Sequence, residues 1–185
     1  DPESGEVLID KRNAIHYENM SIALAESLAN AGQGPIYKMA FGNGGTSVDP
    51  TGIITYLTPN STGTNASLYN KTFDKVVDDQ ASNNTDPVRN KLETRHVSGT
   101  NYTDILVSCL LDYGEPSGQD AFDTATNTEN LYVFDELGLV SAGEDGTDGR
   151  LLTHVIFHPV QKSLNRLIQI DYTVRIQSLT GFNEA

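Results

Sequence analysis

The chain has 185 residues, and its 25 Asp and Glu against 12 Lys and Arg give a formal net charge of −13 at pH 7. Nucleic acids and anionic membranes are bound by clustered Lys and Arg, so this charge argues against both as partners. The chain has one cysteine, which excludes an intrachain disulfide and therefore a disulfide-stabilised secreted scaffold. Its length fits a single domain, and no apolar run approaches the roughly 20 residues of a membrane-spanning helix.

The first two elements predicted in chain order are an extended arm and a helix. Residues 1–9 contain Pro2, Gly5 and one short apolar group, which is typical of an extended arm. From there, apolar residues recur at three- and four-residue spacing, which predicts an amphipathic helix over residues 10–31. Asp10 can cap this helix, and the glycines that follow residue 31 end it.

A strand and a glycine-rich turn are predicted after the helix. Residues 35–41, PIYKMAF, have the composition of a strand, and four turn-forming residues follow it: Gly42, Asn43, Gly44 and Gly45. Glycine and asparagine tolerate positive φ, which favours a structural turn. A phosphate-binding loop is the alternative, but neither a Lys-Ser/Thr pair nor a helical pattern follows the glycines.

Residues 47–103 form a long polar excursion that is rich in Asn, Thr, Ser, Asp and Gly. Short apolar groups interrupt the excursion and predict short strands, because a structureless loop of this length is rare in a compact domain. We expect the excursion and the arm at residues 1–9 to become ordered against neighbouring subunits. The candidate interface residues are Val7, Leu8, Ile9, Ile53, Ile54, Leu57, Leu68 and Tyr69.

Residues 104–177 are expected to supply the core strands. Residues 104–113 are almost continuously apolar, which predicts a central strand in which Cys109 is a buried thiol and not a nucleophile. Residues 167–176 alternate with period two, and one face carries Ile168, Ile170, Tyr172, Val174 and Ile176. Residues 151–158 form a shorter run that Pro159 ends. The two runs are predicted to pair as an antiparallel hairpin, or to share a sheet through a loop.

The predicted fold is therefore α+β and mostly β. It is an antiparallel sheet or sandwich with one N-terminal helix and a long polar excursion, all within one domain covering residues 1–185.

Two groups of polar residues could bind a metal ion, and a simpler interpretation is preferred for each. His154 and His158 are four residues apart, but in a strand that spacing separates them by about 13 Å, too far for one metal ion. An acidic turn lacks the closing glutamate of a calcium-binding loop, and its carboxylates are Glu144, Asp145 and Asp148. No metal is predicted at either place.

Four further carboxylates could in principle act as an acid and base pair. They are Asp112, Glu115, Asp135 and Glu136. Paired carboxylates are common in so acidic a chain, and spacing alone does not show that they converge. Neither a serine-hydrolase motif nor a Cys/His signature is present, so no catalytic residue and no cofactor are predicted.

The order of the elements resembles that of tailed-bacteriophage structural proteins, in particular the N-terminal domain of tail-collar or baseplate-attached fibre proteins. In that family a helix precedes a strand ending in a Gly-Asn/Asp-Gly turn, and a later strand carries an E-x-G-L element before a short hairpin. FGNG at residues 41–44 and ELGL at residues 136–139 occupy those places. No fibre shaft or repeat follows, and the Asn/Thr-rich segment is long, so a neck, collar, baseplate or capsid-decorating component fits equally.

The resemblance implies a non-enzymatic virion protein that assembles in the host cytoplasm. Its partners would be other virion proteins and further copies of itself, as a homo-oligomer within a symmetric particle. A capsid decoration protein is one alternative. A carbohydrate-binding or hydrolytic protein that uses surface carboxylates and tyrosines is a second alternative.

Overall fold

The computed structural model of the protein describes residues 1–116 and 131–178. Within them lie one helix, α1 (Tyr17–Leu28), and eleven strands. The strands are β1 (Ala14–Ile15), β2 (Ile36–Gly42), β3 (Thr46–Val48), β4 (Ile54–Tyr56), β5 (Lys71–Val76), β6 (Lys91–His96), β7 (Tyr102–Leu111), β8 (Leu131–Ala142), β9 (Asp148–Leu151), β10 (Thr153–Ser163) and β11 (Ile168–Gln177).

The strands form two antiparallel sheets and a separate hairpin. The large sheet has the order β1-β10-β8-β2-β5, with β9 added beside β8, and the small sheet has the order β11-β7-β6. Strands β3 and β4 pair only with each other. The predicted fold class, mostly β with one helix, is confirmed. Within the described residues, no helix has the length and apolar character needed to cross a membrane.

The two sheets face each other across one hydrophobic core. Met39 of β2 and Leu139 of β8 come from the large sheet, and Val107 and Cys109 of β7 come from the small sheet. All four side chains are almost completely buried, and Leu110 on the opposite face of β7 is buried as well, so this end of β7 is covered on both faces and is continuously apolar. Burial raises the pKa of the Cys109 thiol to about 12, so this cysteine is an unreactive part of the core.

The predicted hairpin between the last two strands is wrong. Strand β10 pairs with β8 in the large sheet, whereas β11 pairs with β7 in the small sheet. Residues 164–167, LNRL, therefore carry the chain from one sheet to the other. The alternation in β11 is as predicted, because Ile168, Tyr172 and Val174 are buried. Period two indicates which face of a strand is buried, but it does not indicate which strand lies beside it.

Strand β10 also continues through Pro159, which was predicted to end it. The pairing of β10 with β8 shifts its register between Ile156 and Val160. Three residues of β10, between Ile156 and Val160, lie opposite a single residue of β8 at this irregularity, and Pro159 is one of the three, so its missing N–H costs no inter-strand hydrogen bond.

The helix is shorter than predicted, because residues 10–31 also contain strand β1. Residues Ala14 and Ile15 pair with β10, and His16 caps α1 by accepting a hydrogen bond from the backbone N–H of Asn19 at 3.2 Å. Asp10 is thus not the cap. The end of the helix is close to the prediction, with Asn30 in the left-handed region at φ 52°.

The excursion at residues 47–103 is built into both sheets. It supplies β5, an edge strand of the large sheet, and β6, an edge strand of the small sheet. Leu68, predicted as an interface residue, is only 5% exposed and packs with Ala40 and Leu151 in a second apolar cluster. Leu68 is therefore a core residue of its own chain.

Candidate functional site

Two adjacent carboxylates on β8 are buried beneath the glycine-rich turn. Asp135 and Glu136 are consecutive, so their side chains leave opposite faces of the strand. Asp135 accepts hydrogen bonds from the backbone N–H of Gly45 at 2.8 Å and from both the N–H and hydroxyl of Thr46, at 2.9 and 2.5 Å. These bonds hold the start of β3 on the large sheet.

Glu136 binds four donors from three separate segments. The backbone N–H groups of Gly44, Tyr69 and Asn70 donate at 3.1, 2.9 and 2.8 Å, and His154 Nε2 donates at 2.9 Å. Burial by itself raises the pKa of Glu136, but the hydrogen bonds from His154 and the three backbone groups outweigh it, so the pKa lies below its ordinary value. Glu136 is thus an ionised, fully buried carboxylate.

The partners of His154 define its tautomer. Its Nδ1 accepts a hydrogen bond from the backbone N–H of Asn60 at 2.7 Å, so the proton is on Nε2, which faces Glu136. His158 is exposed on the same strand, and its Nδ1 bonds instead to the hydroxyl of Tyr56 at 3.1 Å. The two histidines therefore have separate roles. Across residues 1–116 and 131–178, no group of three His, Cys, Asp or Glu is placed to hold a metal ion.

The glycines of the turn are required for a different reason from the one predicted. Gly42, Gly44 and Gly45 are not among the glycines with positive φ. A Cβ on Gly42 would lie 2.5 Å from Glu136 Oε1, and one on Gly44 would lie 2.7 Å from the backbone N of Asn70. The turn is glycine-rich because its backbone approaches Glu136 and residues 69–70 closely. Its N–H groups bind the chain's own carboxylates, in place of a phosphate.

Burial limits what these carboxylates can do chemically. Asp135 and Glu136 have almost no exposed surface, and their oxygens already face donors from the chain itself. A general acid or base must reach its substrate within hydrogen-bond distance. Their arrangement is instead suited to fixing three loops, at residues 43–46, 60 and 69–70, on the large sheet.

The other two predicted carboxylates have different partners. Glu115 accepts from the backbone N–H of Asp112 at 2.8 Å and also binds Lys75, while Arg89 binds Asp112 at 2.9 Å. Lys162, which no sequence pattern singled out, is completely buried beside them and donates to three backbone carbonyls, at 2.7 to 3.0 Å. Burial lowers its pKa. This cluster fixes residues 112–115, which follow β7.

The three carboxylates of the acidic turn also have different surroundings. Glu144 and Asp145 lie on an exposed 3-10 turn. Asp148 begins β9 and forms ion pairs with Lys38 at 2.8 Å and Lys71 at 3.5 Å, both of which also pair with Asp74. Asp148 therefore helps to join β9 to β2 and β5 across the large sheet.

Exposed apolar side chains occur on the β3–β4 hairpin, on the N-terminal arm and on α1, where Tyr17 is 79% and Leu28 is 87% exposed. Of the predicted interface residues, Val7 is 77% exposed and Ile53 is 63% exposed, and Leu57 and Ile9 are also exposed. Leu8 and Ile54 are half-buried, and Tyr69 is exposed although its hydroxyl donates to the carbonyl of Thr58. The structure adds two hairpin residues that the sequence did not indicate. The hairpin surface, as we call it, consists of Val48, Ile53, Tyr56 and Leu57.

The arm crosses the open side of the sandwich, between β10 and β11. There it covers a crevice of about 570 Å³, whose apolar walls include Phe41, Phe157 and Tyr172. Leu8 packs against the core, and Asp1 forms an ion pair with Arg166 at 2.9 Å. The Tyr113 hydroxyl also donates to Glu3, and Arg166 lies 3.7 Å from Glu6, so the attachment of the arm is mainly polar.

Searches of protein-family models, of curated protein sequences and of solved structures found no match to this chain.

Proposed function

We propose that the protein is a non-enzymatic structural component of a tailed-phage virion, in a tail, baseplate, collar or neck assembly to which fibres attach. In this role it associates with further copies of itself and docks on other virion proteins. The observation that carries the proposal is the hairpin surface, an apolar patch on a hairpin that belongs to neither sheet.

The exposure of the hairpin surface favours a partner. Single exposed apolar residues are common on protein surfaces, but here four lie on one short hairpin. A two-stranded hairpin is at best marginally stable by itself in water. Burying Val48 and Ile53 against another protein would remove about 25 cal/mol of unfavourable hydration per Å² of apolar surface.

The attachment of the hairpin to the large sheet supports the same proposal. Asp135 binds Thr46 at the start of β3, and His158 binds Tyr56 at the end of β4. Both strands of the hairpin are therefore fixed at the base, while Val48 and Ile53 extend towards the tip. A surface that is held in place before binding loses less conformational entropy when it docks.

We predict that Val48→Asp prevents incorporation into particles, since a carboxylate would have to be buried against the partner. The matched control is Val88→Asp, the same change at a valine that is 77% exposed outside the hairpin and the arm. Both variants should unfold like the wild type, because both valines are exposed. The measurement is the amount of tagged variant in purified virions.

Equal incorporation of the two variants would contradict a docking role for the hairpin surface. Absence of the wild-type chain from purified virions would contradict the virion role itself. Density for the chain on the capsid shell would identify a decoration protein. Binding to a glycan panel, lost on mutation of exposed tyrosines, would favour the carbohydrate-binding alternative.

A further inference from the structure

Strand β11 is an edge strand along its whole length. Its ten residues pair with β7 on one side, from Ile168 opposite Leu111 to Gln177 opposite Tyr102. On the other side, no strand among the described residues pairs with it. The arm lines the same crevice as the first half of β11 but forms no backbone hydrogen bond with it. A long edge with unpaired N–H and C=O groups is a template for another strand.

The sequence of β11, QIDYTVRIQ at residues 169–177, is self-complementary about Thr173. When two such strands run antiparallel about a two-fold axis through this residue, each position faces one whose number adds to 346. The facing pairs are Gln169 and Gln177, Ile170 and Ile176, Asp171 and Arg175, Tyr172 and Val174, and Thr173 with itself. An interface with two-fold symmetry requires this kind of self-complementarity.

The polar face of β11 provides opposite charges at facing positions. Asp171 is exposed, and in the described part of the chain it forms no ion pair, only a hydrogen bond from Gln169 at 3.0 Å. Arg175 is half exposed and binds Asp104 through Nε and Nη2, at 2.7 and 2.9 Å. The guanidinium also stacks on the ring of Tyr102, with Cζ 3.9 Å from the ring centroid. Opposite charges that face each other across strands stabilise pairing, whereas like charges oppose it.

The apolar face of β11 is incompletely covered within one chain. Ile168, Tyr172 and Val174 are buried, but Ile170 is only half-buried and Ile176 is 36% exposed. In the two-fold arrangement Ile170 and Ile176 face each other, so pairing would bury the two residues that the sandwich leaves open. The same register thus pairs opposite charges on the polar face and buries Ile170 and Ile176 on the apolar face.

We propose that β11 pairs with β11 of a second copy of the chain about a two-fold axis at Thr173. The two small sheets then form one continuous six-stranded sheet. This inference rests on the self-association in the proposed function and identifies the surface that carries it.

A cysteine placed on the axis tests the register directly. In an antiparallel pair, facing Cα atoms lie about 4.5 to 5.5 Å apart, which is within the range for a disulfide. Thr173→Cys should therefore form a disulfide-linked dimer under mild oxidation, while the one natural cysteine, Cys109, is fully buried and does not interfere. Gln177→Cys is the matched control, because its two copies would be about 26 Å apart.

A mixture of Gln177→Cys and Gln169→Cys should nevertheless form mixed disulfide dimers, because these two positions face each other. If Thr173→Cys forms no more dimer than Gln177→Cys, the proposed pairing is wrong.

Charge reversal provides an independent test by light scattering. Asp171→Arg places two arginines opposite each other in a homodimer, and Arg175→Asp places two aspartates there, so each should weaken dimerisation by roughly tenfold or more. A mixture of the two variants restores both opposite-charge pairs and should dimerise. Circular dichroism verifies that each variant is folded, because Arg175→Asp also removes the ion pair with Asp104.

The outcomes separate this inference from the proposed function. Failure of both cross-linking and charge-swap rescue, with the variants still incorporated in virions, would overturn the β11 pairing alone. If cross-linking succeeds but the wild-type chain is absent from virions, the dimer would be supported and the virion role would be wrong.

Discussion

At the scale of single residues, the buried carboxylate of Glu136 determines the identity or conformation of several others. A side chain at residue 42 would collide with Glu136, and the backbone N–H groups of residues 44, 69 and 70 donate to its carboxylate. His154 also donates to it, through the protonated Nε2. The sequence indicated that the glycines were special, but it could not distinguish a need for positive φ from a need for close approach. That distinction depends on a carboxylate roughly 90 residues away.

At this scale we predict that Glu136→Gln lowers the free energy of unfolding by about 2–4 kcal/mol, because an amide turns two N–H donors towards backbone donors. The folded-state pKa of Glu136 lies below its ordinary value of 4.5. The stabilisation from the charge is therefore complete above about that pH and declines as the pH falls through the folded-state pKa. Urea unfolding of the wild type and of Glu136→Gln, at pH values from 7 down to acid conditions, measures this stabilisation.

The difference between wild type and Glu136→Gln should narrow as the pH is lowered. A difference that stays constant down to acid pH would show that ionisation of Glu136 does not stabilise the fold.

Elements were predictable from the sequence where local pattern alone determines them. The apolar run of β7 and the alternation of β11 were identified correctly, since burial on both faces or on one face leaves a signature in composition. The partner of β10 was not predictable, because pairing depends on contacts distant in sequence. The start of α1 was placed too early, because Ala14 and Ile15 continue the apolar pattern of the helix although they form β1.

The element-scale prediction concerns the buried face of β11. Val174→Asp should lower the free energy of unfolding by about 3 kcal/mol or more, because it places a carboxylate without a partner in the core. Gln169→Asp, on the exposed face of the same strand, should change it by less than about 0.5 kcal/mol. Chemical denaturation of the two variants measures both values, and similar losses would mean that the faces of β11 are assigned wrongly.

At the scale of the molecule, residues 1–116 and 131–178 form a sandwich with two attachments outside its core, the arm and the hairpin. The sequence suggested that all of residues 47–103 depended on a partner for order, whereas the structure forms β3, β4, β5 and β6 within one chain. Strands β5 and β6 from the same segment pair within the two sheets. Polar composition did not distinguish an edge strand from a loop, because an edge strand exposes most of its side chains.

We predict that limited proteolysis of the isolated chain first removes the arm. Trypsin should cut after Lys11 and Arg12, which are exposed and precede β1, and should cut later after Lys71, Lys75 or Lys91, which lie in paired strands. The trimmed protein should keep its melting temperature within a few degrees, because Leu8 is the only core contact from an apolar side chain of the arm. Mass spectrometry of the early fragments identifies the order of the cuts.

Early cleavage inside β5 or β6 would contradict the assignment of those strands to the stable sandwich.

The way the hairpin is fastened has a consequence for engineering. Its anchors, Thr46 and Tyr56, are at its base, whereas the turn between β3 and β4 is held by local hydrogen bonds among residues 49–53. A foreign peptide inserted in that turn would leave both anchors and the two sheets untouched. Because Val48 and Ile53 flank this turn, the insert would also cover the proposed docking surface, so the protein would carry the peptide as a folded chain outside a particle and not as part of one.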